Sequence, residues 1–183
     1  MQNLAGYLAA RVEVEKLIGK PLTVDFIKTL NALVVGIESS DYRNIGAGIW
    51  NRSRKLVYLA PFNERVPDLM ENLLVWLNED NYSQETLKRA AIFHWRFVKI
   101  HPFCIDRENN GNGRTARLLS TFILRSAGCN TIDCYALEDF FEKNKDEYYA
   151  ALEGSLSWNP DEDMALWVQY FCSSLKNSSP FNT

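Results

Sequence analysis

Apolar residues recur at spacings of three and four along most of this chain, the period of helices that bury one face. Val24, Phe26, Ile27, Leu30 and Leu33 form one such set, and Thr23 ahead of them supplies a side-chain oxygen to cap the first turn. Pro67 fits the first turn of a second helix that carries Leu69, Met70, Leu73, Leu74 and Leu77. Ser83 is placed to cap a third, whose inward residues are Leu87, Ala90, Ala91, Ile92 and Phe97 and which Pro102 ends near His101. The stretch from Thr115 through Leu124 reads as a fourth helix, and the amphipathic segment between Leu137 and Leu152 as a fifth. Asn159-Pro160 opens a last one with Leu166, Trp167, Tyr170 and Phe171.

One region breaks the period. "GAGIWNRSRKLVYLAP", residues 46–61, has short apolar bursts on either side of Asn51-Arg52-Ser53-Arg54-Lys55, the pattern of a β-hairpin with a basic tip. The expected architecture is therefore mostly α, a single helical domain with one hairpin. Its core runs from about residue 20 to 175, and residues 177–183 form a frayed tail.

Composition narrows the function classes. At 183 residues, 46% hydrophobic, the chain is long enough for one well-packed core. A net charge of -3 argues against a nucleic-acid coat. No apolar run of membrane-spanning length occurs and the N-terminus has no secretory pattern, so a cytoplasmic protein is expected, with delivery into a host cell left open. None of Cys104, Cys129, Cys134 and Cys172 forms a CxxC pair. That speaks for free thiols rather than for a zinc site with His101.

The chemistry concentrates in "HPFCIDRENNGNGRTARLL", residues 101–119. Gly111 and Gly113 lead into a helix, and a glycine turn at a helix N-terminus presents free N–H groups and the positive end of the dipole to an anion. Arg114 and Arg117, three apart, share a face there and could grip two phosphates. His101, at the exit of the preceding helix, can take a proton from an attacking hydroxyl near neutral pH. His94 reads as a packing residue, and Phe103 as the plug that pins the loop. Asp106 and Glu108 could hold magnesium beside bound phosphates or be a solvated acidic loop. "DRENNG" also resembles half of a calcium-binding EF-hand loop, but the position of the bidentate glutamate is Arg117, whose charge repels calcium.

These residues resemble the signature of Fic proteins, H-P-F-x-[D/E]-G-N-G-R-x-x-R, matched at one end by His101-Pro102-Phe103 and at the other by Gly111 to Arg117. The resemblance implies a helical fold with a β-hairpin flap beside the active site. It further implies transfer of AMP from ATP, with Mg2+, to a Ser, Thr or Tyr hydroxyl of a target protein. In that reading His101 is the general base. Gly111, Asn112, Gly113 and Arg114 cradle the phosphates, and Arg117 helps hold the outer one. A flap from about Trp50 to Tyr58 docks a target segment by strand-like pairing.

The sequence departs from that pattern in the loop. Seven residues, Cys104 to Asn110, stand between Phe103 and Gly111 where the family has two, and Asn110 replaces the carboxylate before the glycine turn. Asp106 is the preferred metal ligand, ahead of Glu108. The family's inhibitory pattern, [S/T]-x-x-x-E-[G/N], has no match, which leaves a segment outside this chain, a partner, or no inhibitor at all. The alternative function is a Fic-like module that only binds nucleotide or protein, or one that transfers another phosphate-linked group.

Overall fold

The computed structural model describes residues 3–50, 56–79, 86–105, 110–129, 131–154 and 160–178. The chain runs α1 (Leu4–Leu17), α2 (Val24–Val35), β1 (Gly48–Trp50), β2 (Leu56–Leu59), a 3₁₀ turn (Asn63–Arg65), α3 (Val66–Asn78), α4 (Thr86–Ile100), α5 (Asn112–Ser126), α6 (Thr131–Lys143), α7 (Lys145–Gly154) and α8 (Pro160–Ser178). The fold is helical with a small antiparallel ribbon, as the period reading expects. The ribbon pairs Gly48 with Leu59 and Ile49 with Tyr58, then slips in register before Trp50. The expected tip, residues 51–55, lies outside the described residues, as do Ser83 and the chain beyond residue 178.

Helix α5 is the axis of the fold. Its residues from Thr115 to Leu124 are buried without a break, so it has no solvent face. Burial on all sides obliges its polar side chains to find partners inside the protein. Ser120 donates to the Ala116 carbonyl at 2.9 Å and meets Nδ1 of His94 at 3.0 Å. Thr121 donates to Glu138 at 2.6 Å.

Helix α4 packs along α5, and its His94 is fully buried. The imidazole stacks on Trp167 of α8 with ring centroids 5.0 Å apart, and its Nε2 lies 2.9 Å from the Tyr148 hydroxyl. Phe141 and Phe171 close the cluster around it. His94 is thus a packing residue, as expected, and one whose two ring nitrogens both have partners.

Three differences from the sequence pattern have physical causes. Helix α5 starts three residues before Thr115, because Gly111 caps it. The segment from Leu137 to Leu152 is two helices broken at Asn144, whose backbone N–H and side-chain Nδ2 both donate to the Phe140 carbonyl. Helix α1 was not expected at all. Its large apolar residues Leu4, Leu8 and Val12 are exposed while Ala10 and Val14 are buried, so its period is inverted in size. It crosses α2 at Gly6, where an added Cβ would lie 2.1 Å from the Leu33 carbonyl oxygen.

Trp167 ties α8 to α4, with Nε1 donating to the Ala91 carbonyl at 2.9 Å and no exposed surface. Trp167→Ala should lower the unfolding free energy by about 3–5 kcal/mol in urea titration. A loss below about 1 kcal/mol would show that the aromatic cluster does not hold the helices together.

Candidate active site

The site is assembled from two chain segments that meet at Phe103 and Asn112. Helix α4 ends at Ile100, and His101 turns the chain with φ 51°, a left-handed conformation that costs a non-glycine residue about 1 kcal/mol or more. Its N–H still bonds the Phe97 carbonyl at 3.0 Å. Two residues on, Phe103 is fully buried against Phe97 and Tyr42, the plug expected of it.

Phe103 is then grasped by Asn112. The amide Nδ2 donates to the Phe103 carbonyl at 2.8 Å, and Oδ1 accepts from the Phe103 N–H at 3.1 Å. Both functional atoms of the Asn112 side chain are committed to the backbone of Phe103, so its role in the site is to join the motif's two ends.

Of the two glycines expected to lead into the helix, Gly111 precedes it with a positive φ, and Gly113 is already its second residue. Gly111 caps α5 with φ 70°, and an added Cβ would lie 2.8 Å from Asn31 Nδ2 and from Val35 Cγ2. A side chain is excluded there by both conformation and space. The Asn112 N–H is capped by Asn110 Oδ1 at 3.0 Å, and the Thr115 N–H bonds the Gly111 carbonyl. Gly113 and Arg114 lie in the first turn, where N–H groups have no acceptor within the helix. Those two groups and the helix dipole constitute the anion-binding capacity of the turn.

The residue that replaces the family's carboxylate therefore caps the helix. Asp106 and Glu108 lie outside the described residues.

The two arginines share one face of α5, as their spacing predicts. They line a cavity of about 170 Å³ together with Tyr7, Arg11, Glu138 and Glu142. Arg114 Nη1 donates to the Val34 carbonyl at 2.9 Å. Arg117 is buried, its Nη2 lies 3.1 Å from Glu142 Oε2, and its guanidinium sits over the Tyr148 ring at 5.7 Å. Buried Nε of Arg117 has no hydrogen-bond partner. Glu138, buried behind them, accepts from Tyr7 and Thr121, and burial raises its pKa.

His101 is also nearly buried, and its Nδ1 has no hydrogen-bond partner. Burial and then the positive charge of Arg43 push its pKa down to about 4, against a smaller opposing contact with the Val98 carbonyl. The imidazole is thus neutral at physiological pH.

Two residues of the site were not singled out in the sequence. Asn31, fully buried on α2, donates to the Asn110 carbonyl at 3.0 Å and to Thr115 at 3.2 Å, which fixes the glycine turn from below. Its signal was available, since an asparagine inside the apolar run Leu30 to Val35 must have a buried partner. Arg43 lies in an irregular segment with no period to flag it.

With this geometry in hand, comparison with known proteins gives the class. The chain matches the Fic/DOC family over residues 21–124, more than half of its length, and belongs to that family. It is 32% identical over 101 residues to the protein adenylyltransferase fic-1 of Caenorhabditis briggsae, covering 52% of this chain and 18% of that protein. It is 46% identical over 61 residues to the protein adenylyltransferase Fic of Drosophila ananassae, covering 33% and 11%. The chain thus spans under a fifth of these relatives.

Among solved structures, a Fic family protein from Desulfovibrio desulfuricans superposes with a TM-score of 0.77 at 27% identity, over 96% of this chain and 51% of that one. A Fic-domain signaling protein from Bacteroides thetaiotaomicron does so at 0.75 and 22%, over 97% and 69%, which shows the shared fold.

Two outcomes follow. Asn112→Ala should cost about 1–3 kcal/mol in chemical unfolding, because it strands the Phe103 N–H and C=O. Asn112→Ala with unchanged stability would remove it as the joint. The second outcome concerns pH. Burial depresses both His94, to about 3, and His101, to about 4, so the unfolded chain binds protons that the folded one does not. Stability is then full above the ordinary value of about 6.5 and falls as pH drops toward 4. At pH 5 the wild type should take up about one more proton on unfolding than His101→Asn, read from the pH slope of the unfolding free energy. Equal slopes would contradict a depressed His101.

Proposed function

We propose that this chain is a protein adenylyltransferase that moves AMP from ATP to a Ser, Thr or Tyr hydroxyl of a target protein, the hydroxyl oxygen bonding to the α-phosphorus as its bond to the α,β-bridging oxygen breaks and pyrophosphate leaves. The observation that carries it is the Asn112–Phe103 joint, which brings the His-Pro-Phe segment and the Gly-Asn-Gly-Arg turn together despite seven intervening residues. The adenylyltransferase names of the relatives support the same class.

In this reading the first turn of α5 receives the triphosphate through backbone N–H groups, with Arg114 and Arg117 neutralising its charge. Arg117 must then exchange its partner Glu142 for phosphate oxygen, a swap of one anion for another. His101 takes the proton of the attacking hydroxyl. The imidazolium so formed lies near Arg43, and the charge of the bound triphosphate offsets that cost. Transfer is chiefly a matter of position and charge, so a rigid base and a rigid cradle suffice.

Magnesium, when bound beside the phosphates, supplies further charge neutralisation, with Asp106 its proposed protein ligand ahead of Glu108. The target docks at the ribbon near Trp50 to Tyr58 by strand-like pairing.

One observation favours the second reading, a nucleotide-binding module without transfer. Asn110 stands where the family has its carboxylate, and its side chain caps α5.

The test is incubation with ATP labelled at the α-phosphate, Mg2+ and cell lysate. Label should appear on protein with the wild type and fall by about 10²-fold or more in His101→Ala. Asp106→Ala should abolish transfer and Glu108→Ala retain most of it. ATP labelled at the γ-phosphate should leave protein unlabelled. Magnesium-dependent thermal stabilisation by ATP without any label transfer would establish the binding module instead.

A further inference from the structure

Arg43 has an unusual set of partners. It is buried, with 4% of its surface exposed, yet every hydrogen bond it makes is to a backbone carbonyl. Nε donates to His101 at 2.8 Å, and Nη2 reaches the Ile100 carbonyl at 3.4 Å. Nη1 donates to Ile45 at 2.9 Å, just before β1, and Nη2 to Pro61 at 2.6 Å, just after β2. The backbone N–H of Arg43 adds a bond to the Pro102 carbonyl at 2.9 Å. One guanidinium therefore joins both feet of the ribbon to the left-handed turn at His101.

We infer that Arg43 is a positioning residue that makes the flap and the base one rigid unit, fixing the distance from a docked target segment to the His101 imidazole. This rests on the reading of His101 as base. A rigid planar fork with five donors can hold these four carbonyl groups at once, whereas a lysine ammonium has three donors on a single atom. Ionic partners would compete for that fork. None lies within ion-pair reach among the described residues, and the carbonyl cage keeps the cation in place.

The charge has a second effect on the same imidazole. Among the described residues Arg43 is the ionised group that bears on His101, and Cys104, Tyr58 and Glu64 bear in turn on Arg43. One side chain thus fixes the geometry of the base and adds its charge to the burial that already lowers the imidazole pKa. A merely structural role would affect folding but would not distinguish a variant that keeps the charge from one that removes it.

The experiment compares wild type, Arg43→Lys and Arg43→Gln by NMR titration of the chain's two histidines, alongside amide exchange in the ribbon. Arg43→Gln should raise the His101 midpoint above about 4 by the part that the charge contributes, the larger part due to burial remaining, while Arg43→Lys keeps it low. Both variants should speed amide exchange of the ribbon by about tenfold or more. In the transfer assay Arg43→Lys should raise KM for the target and lower kcat together, since it loosens flap and base alike.

An unchanged His101 midpoint in Arg43→Gln, or unchanged ribbon exchange in Arg43→Lys, overturns the inference. Should Arg43→Gln not fold, exchange in Arg43→Lys decides alone. The titration and exchange readouts need no turnover, so they decide for Arg43 even if the wild type transfers nothing.

Discussion

Two hydrogen bonds between the Asn112 amide and the Phe103 backbone set the geometry of everything around them. Phe103 is sunk in the core against Phe97, so its backbone cannot move without disturbing α4. Asn112 is the first residue of α5, the helix buried on all sides. The amide therefore locks the His101 end of one core helix to the glycine-turn end of the other. A loop of added length can leave and return between those two anchored points without displacing either, because longer closure costs little extra entropy. This is why a signature interrupted by five additional residues can still fold into one site.

The unbroken burial of α5 from Thr115 to Leu124 has a further consequence. A helix with no solvent face cannot carry Arg117, Ser120 and Thr121 unless the neighbouring helices answer each of them. Glu142 and Glu138 of α6, His94 of α4 and Tyr148 of α7 do so. The site's second arginine is thus part of the core's polar network before any ligand arrives. Its present partner is a carboxylate, and the unpaired buried Nε beside it marks where the network is unfinished. Buried polar groups left without partners are uncommon and concentrate where function needs them. Among the described residues His101 Nδ1 is another such atom.

The fold was legible wherever apolar residues alone decide burial. Thr23, Pro67 and Pro102 marked helix ends correctly, and Phe103 showed itself as a plug by standing apolar in a polar loop. Helix α1 was hidden because small residues face inward and leucines outward, which defeats a reading based on hydrophobic period. In the site, the glycine turn, the histidine and the paired arginines were visible as residue types at a spacing. The division of labour among them was not. Asn112 stands in a motif whose backbone is read as a cradle, and nothing in its neighbours discloses that its side chain points back to Phe103. Arg43 and Asn31 act through contacts 58 and 79 residues away along the chain, which local pattern cannot carry.

In the proposed function the first turn of α5, joined to His101 through Phe103, receives a nucleotide's phosphates. The most direct measurement is a crystal structure with Mg2+ and a non-hydrolysable ATP analogue. The triphosphate is expected over Gly111 to Arg114, with backbone N–H groups of Gly113 and Arg114 on its oxygens, Arg117 turned from Glu142 to phosphate, and the Asn112–Phe103 bonds intact. Phosphates bound away from that turn, or an Asn112 side chain released from Phe103 to bind them, would contradict it.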